Sequence, residues 1–261
     1  MNLDDAYANA AYIKDAASYP PRWTQTADGF RQRLADRAEL GISYGESDRQ
    51  AFDFFHADGA AKGTVVFVHG GYWLRFDRSY WSHFAHGALS LGWNVAMPSY
   101  DLCPTVSIAQ ITNQIASAVH AIARKATGPV TLTGHSAGGH LVARMLDPGV
   151  LPAEVLARIS RVAPISPVAD LRPLLHTSMN ADFKLDMAGA VAESPVLQPA
   201  PDIAVSVWVG ADERPVFLEQ AKALSVAWDV AQVIVPGRHH FDVIDALQDG
   251  RSDLIRFLTL Q

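Results

Sequence analysis

Ser136 stands at the centre of Gly134-His135-Ser136-Ala137-Gly138, with a glycine two residues away on either side. A serine hydroxyl is a weak nucleophile until it is presented on a sharp turn and given a base. The G-x-S-x-G pattern builds such a turn between a strand and a helix. The flanks fit this reading. Val130-Thr131-Leu132-Thr133 is a β-branched run opened by Gly128-Pro129, and His140 to Leu146 has helical character that stops at Asp147-Pro148-Gly149. Glycines at 134 and 138 leave the room that so tight a turn requires. The predicted chemistry is attack by Ser136 on an acyl carbon.

That chemistry needs a base, and the chain has ten histidines. His135 lies inside the turn, where its side chain is expected to point away. His69 follows a strand and is expected to brace the neighbouring loop. His56, His83, His86, His120, His140 and His176 fall in elements without catalytic context. His239 and His240 lie in a loop between the last apolar strand and a helix. His240 is favoured, because Phe241-Asp242 opens that helix and fixes the residue before it. The base in turn needs a carboxylate to hold its tautomer. The loop after Val209 offers Asp212 and Glu213, and the residues alone leave the choice open. An oxyanion hole needs backbone N–H groups, and Gly71, Tyr72 and Ala137 are placed to supply them. Gly70, Trp73 and Phe76 are read as lining the substrate pocket. Aromatic bulk at 72, 73 and 76 predicts a short acyl group joined to a flat leaving group.

The elements that must carry these residues alternate between strand and helix. Residues 27–40 read as one helix, preceded by a break at Tyr19-Pro20-Pro21-Arg22-Trp23. An N-terminal arm, residues 1–44, carries Tyr7, Tyr12, Tyr19 and Trp23. It is expected to pack on the domain, with a position over the site as the alternative. Strands are predicted at 51–56, 63–69, 93–98, 130–133, 159–165, 203–209 and 232–235. Residues 79–91 and 217–228 read as helices. Ile108, Ile111, Ile115, Val119 and Ile122 mark an amphipathic crossover helix within 105–124. Residues 167–201, interrupted by five prolines, form a candidate lid. The fold class is α/β, with a mostly parallel sheet covered by helices on both faces and its function at the strands' carboxyl ends.

Composition bounds the rest. A chain of 261 residues, 49% apolar and 18% charged, suits a single α/β domain with a sizeable core. A net charge of −6 and the absence of a Lys/Arg cluster exclude a nucleic-acid footprint. Cys103 is the single cysteine, so no intrachain disulfide is expected. Met1-Asn2-Leu3-Asp4-Asp5 has no apolar signal region, and no apolar run is long enough to span a bilayer. The expectation is a cytoplasmic protein acting on a small molecule, with no membrane partner. Dinucleotide and phosphate-loop glycine patterns are absent, as is zinc-ligand spacing, so no cofactor or metal is expected.

At these residues the chain resembles α/β-hydrolases of the hormone-sensitive-lipase-like esterase group, and within it the kynurenine formamidase (arylformamidase) type. His69-Gly70-Gly71-Tyr72-Trp73 resembles that group's His-Gly-Gly-x-Trp. The wider esterase group has a third glycine where this chain has Tyr72. Tyr100-Asp101-Leu102-Cys103-Pro104 resembles Tyr-Arg-Leu-Ala-Pro, with departures at Asp101 and Cys103. Asp170-Leu171-Arg172-Pro173-Leu174 resembles Asp-Leu-x-Pro-Leu, and His240-Phe241-Asp242 the His-Phe-Asp that carries the family's base. Glu213-Arg214-Pro215-Val216-Phe217, with Gln220, resembles the stretch that begins with the family's acid, which implies Glu213 rather than Asp212. The resemblance implies a serine hydrolase cleaving a small ester or aryl formamide through an acyl-enzyme. A short-chain carboxylesterase or thioesterase, or a ligand receptor on the same scaffold, are the alternatives. No oligomeric state follows.

Overall fold

The structure is a computed structural model that describes residues 3–260. Met1 and Asn2, part of the acidic N-terminus, and Gln261 lie outside the described residues. In chain order come α1 (Leu3–Ala6), α2 (Tyr19–Leu34), β1 (Ala38–Ser43), β2 (Ala51–Phe55), β3 (Thr64–Val68), α3 (His86–Ser90) and β4 (Asn94–Pro98). Then follow α4 (Ile108–Lys125), β5 (Val130–His135), α5 (Ala137–Arg144), α6 (Ala153–Leu156) and β6 (Ile159–Ile165). The rest are α7 (Asn180–Phe183), α8 (Met187–Ala192), β7 (Ala204–Gly210), α9 (Pro215–Trp228), β8 (Ala231–Val235) and α10 (Asp253–Thr259). The eight strands form one sheet in the order β1-β2-β4-β3-β5-β6-β7-β8. The β1–β2 and β2–β4 pairs are antiparallel and the others parallel.

Strands β3 and β5 are buried along their whole length, because helices cover both faces of the sheet. On one face, α4 presents Ile108, Ile111, Ile115, Val119 and Ile122 to a core shared with Leu132, Leu141 and Phe217. A capping box between Ser107 and Gln110 starts that helix. On the other face, Trp23, Phe30 and Leu34 of α2 pack with Trp81, Phe84, Trp93 and Leu258.

Two expectations change. The first long helix runs over 19–34, not 27–40. Pro20 and Pro21 open it rather than break what precedes it, since the first turn has no intrahelical use for their missing N–H groups. The chain then turns at Ala35 (φ 49°) into β1, an edge strand with no buried residue. An apolar pattern carries little trace of a strand that buries nothing. Residues 79–91 form 3₁₀ turns at 78–80 and 82–85 followed by the short α3, not one helix. The 167–201 segment holds two short helices and two 3₁₀ turns, and its far end is pinned. Glu193 is buried, ion-paired with Arg144 of α5 at 3.1 Å, and accepts from Thr112 Oγ1 of α4 at 2.7 Å. His140 Nε2 donates to the Glu193 carbonyl at 2.7 Å.

Candidate active site

The turn between β5 and α5 is built by close approach. A Cβ on Gly134 would lie 2.3 Å from the Gly138 carbonyl oxygen, and one on Gly138 would lie 2.0 Å from that of Val68. Neither position tolerates a side chain. Ser136 itself takes φ 57° and ψ −116°, a region an L-residue occupies only when its surroundings force it. Its N–H donates to Ile165 O at 2.8 Å, which ties the turn to the carboxyl end of β6. Gly70 lies against the same turn: a Cβ there would meet His135 O at 2.7 Å and Ser136 Cβ at 3.0 Å.

The histidine loop and the acid loop meet beside this turn. His240 Nδ1 donates to Glu213 Oε2 at 2.6 Å, and both residues are buried. The other carboxylate oxygen of Glu213 accepts from Ser166 Oγ at 2.5 Å and from Gly210 N at 2.8 Å. Three donors on its two oxygens fix the carboxylate in place. The His240 ring is held between Phe217 (centroids 4.3 Å apart) and His135 (4.5 Å). Asp212, the other carboxylate considered, is exposed, and no hydrogen bond or ion pair of its side chain occurs among the described residues. It does not contact His240 as an acid would. His239 is likewise set apart. It accepts from Phe241 N at Nδ1, and its Nε2 bonds the Tyr19 hydroxyl at 3.0 Å.

His135 does not point away from the site, as its place inside the turn suggested; it packs on the His240 ring. Burial, reinforced by the neighbouring His240, pushes its pKa well below the usual histidine range. It therefore stays neutral beside His240. His69 does brace its loop: Nδ1 donates to Gly70 O at 2.8 Å, and the ring stacks on Tyr100 at 4.4 Å. Burial lowers its pKa to about 4.

In the loop after β3, Gly71 (φ 108°), Tyr72 (φ 54°) and Trp73 (φ 56°) all have left-handed backbones. Among the described residues the N–H groups of Gly71, Tyr72 and Ala137 bond no backbone or side-chain acceptor. Trp73 is not a pocket wall. It is completely buried, edge-on to His140 at 5.1 Å and Phe183 at 5.6 Å, because the left-handed turn carries it inward to the core. Phe76 is half-buried, and its ring packs on Trp23, Tyr80 and Trp81 on the other side of the loop. The open space lies elsewhere. A cleft of about 180 Å³ is lined by Asn9, Tyr12 and Ile13 of the N-terminal arm and by the acid and histidine loops. The arm thus sits over the site. A larger groove of about 450 Å³ opens at the amino ends of β6 and β7, away from Ser136. No three metal-ligating side chains are grouped among the described residues.

One contributing residue escaped the sequence reading. Ser166, the residue after β6, has φ 47° and is fully buried. Its signal was positional. It follows β6 as Ser136 follows β5, at the sheet edge where the other site residues lie.

The family described as the alpha/beta hydrolase fold matches residues 65–229, well over half of the chain. The chain is an α/β-hydrolase. The eight-stranded sheet and the placement of the loops agree with that fold. This α/β-hydrolase is 29% identical to the kynurenine formamidase of Drosophila melanogaster, over 83% of this chain and 79% of that one. It is 26% identical to the kynurenine formamidase of Salmo salar, over 99% and 90%. Among solved structures it is similar to a Silicibacter sp. TM1040 protein provisionally named a thioesterase. The two share 60% identity over 99% of each chain, with a TM-score of 0.98. Esterase B of Lactobacillus rhamnosis shares the fold at 21% identity over 91% of this chain and 89% of that one, with a TM-score of 0.64.

Proposed function

We propose that this α/β-hydrolase cleaves a small ester or aryl formamide through an acyl-enzyme formed on Ser136. The observation that carries the reading is the buried Glu213–His240 pair beside the strained serine turn. Ser136 Oγ attacks the acyl carbon and His240 Nε2 takes its proton. The resulting oxyanion is held by the N–H groups of Gly71, Tyr72 and Ala137. His240 returns the proton to the leaving alcohol or amine as the carbon–leaving-group bond breaks. Water, activated by the same imidazole, then releases the acid. Glu213, bonded to Nδ1, holds the Nδ1–H tautomer that leaves Nε2 free to accept.

The kynurenine formamidase relatives support the formamide side of this reading. The 60% identical relative's provisional name favours a second reading, hydrolysis of a short acyl thioester by the same residues. One screen separates them: kcat/KM for N-formylkynurenine, p-nitrophenyl acetate and an acetyl thioester. The formamide reading expects the first to exceed the thioester by orders of magnitude, and the reverse order rejects it. Ser136→Ala is expected to lower kcat by roughly 10⁴-fold or more for every substrate. A fluorophosphonate is expected to label only the wild type, at Ser136. Labelling elsewhere with activity retained in Ser136→Ala rejects the serine mechanism.

A further inference from the structure

We infer that the N-terminal segment, residues 3–13, is a positioning element of the reaction, and that it acts through the side chain of Tyr72. The inference rests on the serine mechanism proposed above. Two features meet at Tyr72. Its N–H is a candidate oxyanion donor, and its backbone is left-handed without being glycine. Such a conformation persists only where surrounding contacts over-determine it.

Two sets of contacts do so. On the core side, Gly71 O accepts from Leu74 N at 3.0 Å and Arg75 N at 3.1 Å, and Trp73 O accepts from Cys103 N at 2.9 Å. On the arm side, the Tyr72 hydroxyl donates to the Tyr7 carbonyl at 2.7 Å and accepts from Asn9 Nδ2 at 3.4 Å. A phenol is a long lever on its own main chain. Fixing its far end selects one direction for the Tyr72 N–H.

The arm is itself anchored to α9 and to the loop that carries Glu213. Tyr7 is buried, its hydroxyl accepts from Gln220 Nε2 at 3.0 Å, and its ring meets Phe217 edge-on at 5.9 Å. Phe217 is the ring that packs on His240. Asp5 pairs with Arg214, the neighbour of Glu213, at 2.9 Å. Asp4 accepts from Ser178 N at 2.6 Å, on the 167–201 segment. The third loop position thus holds a tyrosine that reaches out to the arm. The arm joins the oxyanion loop to α9 and the loop that carries Glu213.

Tyr72→Phe tests this, because it deletes the hydroxyl and keeps the ring and the N–H. With p-nitrophenyl acetate, kcat is expected to fall roughly 10- to 100-fold, the scale of a misplacement of up to an ångström. KM is expected to stay within about twofold. Benzeneboronic acid adds to an active-site serine as a tetrahedral anion, and its affinity is expected to fall by the same factor as kcat/KM. Asn9→Ala is expected to act in the same direction more weakly. The double variant is expected to be no slower than Tyr72→Phe, since both cut one link. A merely structural contact would lower Tm and leave kcat and boronate affinity unchanged. That result, or a loss carried wholly by KM, overturns the inference. If Tyr72→Phe does not fold, Asn9→Ala read on kcat and boronate affinity decides by the same criteria. A Ser136→Ala variant that keeps full activity would instead overturn the serine mechanism itself.

Discussion

At the scale of single residues, Asp212 and Glu213 show how far one position along the chain changes a side chain's surroundings. They are adjacent carboxylates, yet one lies exposed in solvent and the other is buried against His240 Nδ1 at 2.6 Å. Glu213→Gln is expected to lower kcat by roughly 10⁴-fold, because an amide there supports the wrong imidazole tautomer. Asp212→Asn is expected to stay within about threefold of the wild type. Comparable losses in the two variants would contradict the pairing. Ser166→Ala tests the support behind the acid. It removes one of the two donors on Glu213 Oε1, a buried charge-assisted bond worth about 1.5–3 kcal/mol. A kcat unchanged in Ser166→Ala would mean that Gly210 N alone holds the carboxylate.

At the scale of elements, two glycines make opposite predictions from the same substitution. Gly138 starts the helix that follows the serine, and an added methyl would sit 2.0 Å from Val68 O and 2.6 Å from His69 O. Both obstacles are main chain at the end of β3 and cannot yield cheaply. Gly138→Ala is expected to cost about 3 kcal/mol or more in stability and to abolish activity by displacing Ser136. Gly29 lies inside α2, where the nearest atom to an added methyl is the far end of the Arg33 side chain at 3.4 Å. Gly29→Ala is expected to raise stability by about 0.5–1 kcal/mol, since alanine restricts the unfolded chain and suits a helix interior. Urea denaturation of the two variants measures both. A stabilised Gly138→Ala, or a destabilised Gly29→Ala, would show that the packing of these helices differs from that described.

At the scale of the whole molecule, burial of neutral histidines sets a pH dependence. Burial lowers the pKa of His69, His83 and His140 to about 4 each, and pushes that of His135 well below the usual value. In the unfolded chain these groups titrate near about 6.5. Between about pH 6.5 and 4 the unfolded state therefore binds protons that the folded state refuses, and stability falls as the pH is lowered through that window. Above about pH 6.5 the contribution is fully present. Each group adds up to about 1.4 kcal/mol per pH unit to the slope. Denaturation free energies at pH 7.5 and 5.0 check this, and equal or greater stability at pH 5.0 would exclude it.

What the sequence determined by itself is what neighbours along the chain can encode. The serine turn is legible because strand, glycines and helix are contiguous. The crossover helix is legible because five branched side chains recur at helical spacing. The buried strands read as unbroken apolar runs. The last loop offered His240 as the candidate base, and a 3₁₀ turn, Val243–Gln248, opens three residues after it. The tertiary structure decided what depends on the meeting of distant segments. Whether residue 212 or 213 faces the imidazole depends on how β7 lies against β8 and the histidine loop; the residue types allow either. Trp73 reads as a pocket aromatic by composition, yet a left-handed turn places it in the core against Phe183, 110 positions away. His135 meets His240, and Tyr72 meets Tyr7 and Asn9, only because the sheet brings the ends of β5, β3 and the arm to one edge. Periodicity records which face of an element is buried. It carries no record of which partner covers that face, because a buried face repels water in the same way whatever packs on it.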